Sequence, residues 1–149
     1  MIKFNISEKN GKTFHVESET ENLFGKELGQ KIGGLDVNPE LSGYEFEIAG
    51  ASDKAGFPVL KEVEGIILRK VLLGYGVGMK RRSRREGKRK RSSFTPNGLR
   101  LRKTARGKIL SSEIMQINLK VLKEGSKKLS EIFPEQNLPK QKAEAPAAQ

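Results

Sequence analysis

The segment from Lys80 to Lys108 limits the possible folds more than any other: it carries fourteen basic residues and a single acidic one, Glu86. Like charges at that density repel, and Met79 to Ser93 offers almost nothing apolar to bury, so this stretch cannot build a core by itself. A folded domain must instead be assembled from the sequence on either side of it. Those flanks are close to neutral, with nine basic and twelve acidic residues in 1–79 and six basic and five acidic in 109–149. The net charge of +11 therefore originates wholly in one segment. Charge runs that merely solvate a face usually mix both signs, whereas this one points to a polyanionic partner.

Arginine outnumbers lysine nine to five in the segment. The planar guanidinium fork suits bidentate phosphate contacts and stacking on bases, which favours nucleic acid over an anionic membrane surface. With roughly ten cations on phosphates, log K would fall with log salt at a slope of about −7 to −9.

Hydrophobic residues make up 35% of the chain and charged residues 32%, against about 45–50% apolar in an average globular domain. A length of 149 residues and this composition predict one compact domain with a modest core and solvated tails. With no cysteine and one histidine, His15, disulfides, thiolate zinc sites and cysteine nucleophiles are excluded. The opening Met-Ile-Lys-Phe-Asn-Ile contains no long apolar run, so neither a secretory signal nor a membrane span is expected there, and the protein is expected in the cytoplasm.

Apolar periodicity outlines the domain. Ile2 to Ser7 alternates, Lys9-Asn10-Gly11-Lys12 offers a turn, and Phe14-His15-Val16 resumes, predicting an opening β-hairpin with His15 on its outer face. Asn22 to Ile32 is compatible with a short helix stopped by Gly33-Gly34. Tyr44, Phe46 and Ile48 alternate with two glutamates as a half-buried strand, followed by a long turn from Ala49 to Pro58 in which Asp53 bonds its own backbone. Val59-Leu60 and Ile66 to Leu73 are apolar enough for core strands, and Gly74-Tyr75-Gly76-Val77-Gly78 breaks regularity before the basic segment. Those glycines lack the closing Gly-Lys-Ser or Gly-Lys-Thr of a phosphate-cradling loop, and close backbone approach to another chain or RNA is the better reading. Leu99-Arg100-Leu101-Arg102 alternates again, with its leucines expected to anchor while its arginines face out. Met115 to Val121 is a further two-period strand, Ser126 can cap a short helix ended by Pro134, and the end of the chain has a disordered composition.

The expected architecture is mainly β: a small β-barrel-like domain from 1–79 and 109–125, a basic loop and arm at 80–108, a short C-terminal helix at 126–134 and a disordered tail at 135–149. Nucleic-acid contacts are expected from Lys80, Arg81, Arg82, Arg84, Arg85, Lys88, Arg89, Lys90 and Arg91 in a flexible loop. Arg100, Arg102, Lys103, Arg106 and Lys108 are expected to act from a more ordered arm. Phe94 and Tyr75 are candidates for base stacking, with core packing at least as strong an expectation for each.

The run Ile48-Ala49-Gly50-Ala51-Ser52-Asp53-Lys54-Ala55-Gly56-Phe57-Pro58-Val59 resembles the signature of the ribosomal protein S-six-e family of archaeal and eukaryotic small subunits. Gly50, Asp53, Gly56 and Pro58 match that signature, while Ala51 stands where a second glycine is usual and Val59 where methionine is usual. Leu101-Arg102-Lys103-Thr104-Ala105-Arg106-Gly107 is similar to the family's Arg-Lys-Ser-Val-Arg-Gly segment, and the likeness runs from Met1 to about Phe133. The resemblance implies a β-barrel-like domain seated on small-subunit ribosomal RNA beside neighbouring ribosomal proteins, with Gly50, Asp53, Gly56, Pro58 and Gly107 as structural motif residues. It implies no catalysis, cofactor, metal, membrane or small-molecule substrate. With its end at Gln149 the chain looks like the short archaeal form, without the phosphorylated C-terminal helix of eukaryotic members.

Two competing readings account for less. A free nucleic-acid-binding protein, such as a chromatin or translation-factor module, explains the charge but not the two motifs. A metal-dependent nuclease or RNA-modifying enzyme would draw on Asp36, Asp53, Glu62 and Glu64, which have no recognised metal-binding spacing.

Overall fold

A computed structural model describes residues 1–80 and 96–137. The predicted opening hairpin is present: β1 (Ile2–Ser7) pairs antiparallel with β2 (Thr13–Ser18), placing Phe4 opposite Val16 and Ile6 opposite Phe14. β4 (Glu45–Asp53) pairs antiparallel with β7 (Ile114–Lys123) and with the three-residue β3 (Lys31–Gly33). β7 also pairs parallel with β1, completing a mixed sheet of order β2-β1-β7-β4-β3. A separate two-stranded unit is formed by β5 (Leu68–Leu73) and β6 (Leu101–Arg106).

Strand alternation decides which face of the sheet is dry. Phe4, Ile6, Phe14, Phe46, Ile48, Ile117 and Leu119 are fully buried on one face, each stabilising the fold by roughly 1.5–3 kcal/mol. Leu23, Val37, Leu41 and Leu110 from connecting segments cover them, together with Leu129 of the single-turn helix α1 (Leu129–Ile132). The opposite face carries charge-balanced pairs such as Lys3–Glu17 at 3.1 Å and Lys123–Glu45 at 2.8 Å, and it suits water rather than a phosphate backbone.

The chain is mainly β as expected, but among the described residues no barrel closes. The sheet ends at β2 on one side and β3 on the other, and its exposed edges are managed by other means. Along β2, the Gln136 side chain accepts from the His15 N–H at 2.7 Å and donates to the His15 carbonyl at 2.8 Å, while Asn137 donates to the Thr13 carbonyl at 2.9 Å. Two amide side chains thus imitate a neighbouring strand. Gln136 and Asn137, expected to lie in the tail, are thus bonded to β2, and 138–149 lie outside the described residues.

Three further expectations are corrected. Asn22–Gln30 consists of turns with an isolated bridge at Glu27, and Lys31–Ile32 already belong to β3, so the expected helix does not form. Gly25 and Gly29 take φ of +83° and +89°, and the N–H groups of Gly25, Leu28 and Gly29 donate to Leu110, Lys108 and Ile48 instead of to the preceding turn. The apolar side chains still face inward, with Leu23 fully buried. The stretch expected as a turn from Ala49 is strand as far as Asp53. Finally, Ser126 does not cap α1, whose N-cap is Lys128 with no side-chain hydrogen bond. Packing places this turn instead: Tyr44 Oη donates to the Lys127 carbonyl, and a β-carbon at Gly125 would lie 2.6 Å from the Tyr44 ring. Burial first, then the Glu124 charge, raises the Tyr44 pKa above its ordinary value, so the phenol keeps the proton for this bond into the alkaline range.

Replacing Gln136 by Ala is expected to lower stability by about 1 kcal/mol, since each exposed hydrogen bond is worth roughly 0.5–1.5 kcal/mol. A melting point lowered by a few degrees and faster amide exchange at His15, relative to the remainder of β2, would register the loss.

Candidate nucleic-acid interface

The two motifs singled out in the sequence meet in space. Asp53 closes the end of β4, where its Oδ1 accepts from the N–H groups of Ala55 and Phe57, both at 2.9 Å. Gly56, at φ +84°, completes that turn by donating to the Asp53 carbonyl. The Asx-type bonding expected of Asp53 is therefore present, and its second oxygen does more. Oδ2 accepts from Arg106 Nε at 3.2 Å and Nη2 at 3.1 Å, with Asp53 5% and Arg106 9% exposed. Arg106 Nη1 donates to the Ile66 carbonyl at 3.3 Å. The backbone repeats the connection: Arg106 N–H donates to Pro58, Leu60 N–H to Arg106, and Gly107 N–H to Ile67. A β-carbon at Gly107 would overlap the Gly65 carbonyl, so glycine is required there by close approach and not by an unusual φ.

This lock fixes the base of the β5–β6 hairpin, and the basic residues ride on its outer part. Arg100, Arg102 and Lys103 are exposed, as is Lys80 at the end of the Gly-rich turn. Arg81, Arg82, Arg84, Arg85, Lys88, Arg89, Lys90, Arg91 and Phe94 lie outside the described residues. Arg106, expected beside them as a nucleic-acid contact, is turned inward onto Asp53, where it supports the hairpin. Lys108 is half-buried and paired with Glu27 at 3.1 Å, so it ties the hairpin base to the loop before β3.

Sequence reasoning missed Arg69 and Lys70, which are exposed on β5 opposite Ala105 and Thr104. The expected core strand at Ile66–Leu73 is largely open, with Ile67 59%, Leu68 42% and Leu72 54% exposed and Leu73 alone buried. The expected anchoring face of Leu99–Arg102 is likewise open at Leu101, 41% exposed. The doublet itself held the signal: adjacent residues of a strand point to opposite faces, so Arg69-Lys70 places a cation on each face and neither can be a dry core face. Cross-strand register puts Leu72 opposite Arg102 and Val71 opposite Lys103, giving a two-stranded ribbon in which aliphatic groups and cations alternate on both sides.

No acidic residue occurs in β5 or β6. Among the described residues, none of Arg69, Lys70, Lys80, Arg100, Arg102 and Lys103 takes part in an ion pair. The carboxylates considered for metal chemistry are differently employed or scattered: Asp36 pairs with Lys26 at 2.7 Å and Asp53 with Arg106. Among the described residues no group of three or more His, Asp or Glu side chains could hold a metal ion.

A profile of the family described as ribosomal protein S6e matches residues 2–134. The chain belongs to the ribosomal protein S6e family. Curated relatives named small ribosomal subunit protein eS6 agree with this assignment. The one from Nanoarchaeum equitans is 34% identical over 137 residues, covering 91% of this chain and 91% of its own. The one from Methanococcus maripaludis is 37% identical over 118 residues, covering 79% and 83%. The one from Archaeoglobus fulgidus is 36% identical over 130 residues, covering 84% and 88%. Both signature runs of this S6e chain belong to the lock beneath the hairpin.

Asp53→Ala should destabilise the protein by about 3–5 kcal/mol, because it strands a buried guanidinium. The double variant Asp53→Ala/Arg106→Leu should lose distinctly less than the sum of the two single changes. Urea unfolding of the four proteins of this cycle measures the difference; strict additivity would show that the pair does not act as a unit.

Proposed function

We propose that this chain is seated on small-subunit ribosomal RNA by its β5–β6 hairpin and the basic segment that the hairpin carries. As a member of the S6e family it is a structural, non-enzymatic protein of the small ribosomal subunit acting in translation. The observation that carries the RNA reading is the segregation of charge: a neutral sheet on one side of the lock, and a ribbon with exposed cations and no carboxylate on the other. On the ribbon, Arg69, Lys70, Arg100, Arg102 and Lys103 are placed for phosphate contact, with Lys80 leading into Arg81, Arg82, Arg84, Arg85, Lys88, Arg89, Lys90 and Arg91. Rigid support at the root lowers the ordering cost of the strand-borne contacts. Neighbouring ribosomal proteins are the other partners of this reading, and the ribosome in the cytoplasm its location.

Changing Arg100, Arg102 and Lys103 together to Ala should leave the fold intact while flattening the salt dependence of binding to small-subunit rRNA. The slope of log K against log salt should become less steep by about 2–3, as expected for three lost phosphate contacts. Arg106 is left untouched in this variant because it supports the hairpin. An unaltered slope, in a protein whose unfolding curve matches the parent, would assign binding to a different face.

A further inference from the structure

The glycine at position 50 has no backbone reason to be glycine. It lies within β4 and does not take a positive φ, and a β-carbon on it would meet nothing closer than Asn118 Nδ2 at 3.6 Å, an ordinary van der Waals distance. What its missing side chain leaves open is a cleft. The ladder between β4 and β7 steps from Ile48 opposite Leu119 to Gly50 opposite Asn118, a bulge of the kind that re-aims side chains. Beside it is a cleft of about 640 Å³ whose lining includes Gly50, Lys61, Leu72, Tyr75, Val77 and Asn118.

Asn118 is held in one orientation. Its Oδ1 accepts from Asn5 Nδ2 at 2.9 Å and from Gln116 Nε2 at 3.1 Å. Asn5 Oδ1 is in turn 2.6 Å from His15 Nδ1; since Asn5 donates through Nδ2, its oxygen is the acceptor and the imidazole carries the proton on Nδ1. With both acceptors engaged, the Nδ2 group of Asn118 faces Gly50 and makes no hydrogen bond among the described residues. Asn118 is exposed, so this donor is open to solvent and can be taken by an acceptor of an incoming ligand. Apolar contact comes from Leu72 and Val77, 54% and 71% exposed, and from the Tyr75 ring, half-buried and tethered by its hydroxyl to the Pro96 carbonyl at 2.7 Å, while Lys61 and Glu62 bring one charge of each sign to the lining.

We propose that this cleft receives a single unstacked nucleotide of the bound RNA, its base lying against Tyr75, Leu72 and Val77 and one edge acceptor taking the Asn118 amide. The proposal rests on the hairpin reading above. Three features select this occupant. The pocket is continuous with the cationic ribbon, since Leu72 stands opposite Arg102. An aromatic ring and a directed amide are the groups that read splayed bases. Lys61 offers the cleft a cation for the nucleotide's phosphate, beside the carboxylate of Glu62 in the same lining. Glycine at position 50 keeps the Asn118 donor uncovered.

The test uses the full chain, small-subunit rRNA and chemical probing of base edges. The parent protein should protect one base beyond its backbone footprint. Gly50→Val and Asn118→Leu should each restore reactivity at that base and weaken binding about tenfold, as loss of one stacked and hydrogen-bonded base implies, with the salt slope unchanged. Gly50→Ala should behave like the parent, because its β-carbon fits. Failure of the parent to bind rRNA would remove both this proposal and the reading beneath it. Salt-dependent binding by the parent, with footprints indifferent to Gly50→Val and Asn118→Leu, would overturn the nucleotide site alone. Mononucleotides offered without RNA distinguish the source: if AMP, GMP, CMP or UMP shifts the Asn118 side-chain amide resonances while no rRNA base responds to the variants, the cleft serves a soluble nucleotide and the RNA assignment falls. A photo-crosslinker at Val77 that captures a protein instead of rRNA in reconstituted subunits would overturn it as well.

Discussion

A carboxylate and a guanidinium buried together at the junction of β4 and β6 govern the layout of this molecule. Such a pair adds little net stability over an apolar replacement, because two charges must be desolvated to form it. Its value lies in discrimination: any packing that separates Asp53 from Arg106 leaves a charge in a dry site. Asp53 is also the residue that closes the β4 turn and Arg106 the residue that ends β6. One contact therefore sets both the end of the sheet and the root of the hairpin. Gly107, pressed against Gly65, removes the remaining freedom at that root.

Electrostatics then divide the protein by location and not by total. The sheet mixes signs on its solvent face and keeps Phe4, Phe14 and Phe46 dry on the other. Across the lock, the ribbon concentrates cations beside exposed aliphatic groups, a surface poorly suited to water and well suited to a partner that is charged along its backbone and flat in its bases. Adjacent cations there repel, and isolated two-stranded ribbons are marginal in water. The lock and the backbone bonds from Pro58, Leu60 and Ile67 offset this by extending the ribbon's pairing into the domain.

Period-two alternation made β1, β2, β7 and the first half of β4 legible, because each has one buried and one solvated face. It failed where backbone partners were distant. Asn22–Ile32 has helical spacing of apolar residues, yet its amides find Leu110, Lys108 and Ile48, which local reading cannot supply. Ile66–Leu73 looked like core from its hydrophobicity, while its Arg69-Lys70 doublet excluded a dry face. A closed barrel was a reasonable way to eliminate sheet edges, but Gln136 and Asn137 protect β2 with side chains from a segment whose composition suggested disorder. Of the interface, the concentration of charge was legible; the inward turn of Arg106 was not, because its partner lies 53 residues earlier and ion pairing leaves no periodic trace.

The parallel pairing of β1 with β7 has a consequence for how the molecule comes into being. β1 and β2 can associate as soon as both exist, but the central place in the sheet belongs to a strand that begins at Ile114. Contacts of such long sequence separation are slow to form. During synthesis the arginine-rich segment therefore emerges before the sheet that is to support it is complete, and for that interval its concentrated positive charge stands beside a half-built core. Chaperoning by a polyanion, or swift delivery to one, is most valuable in that window.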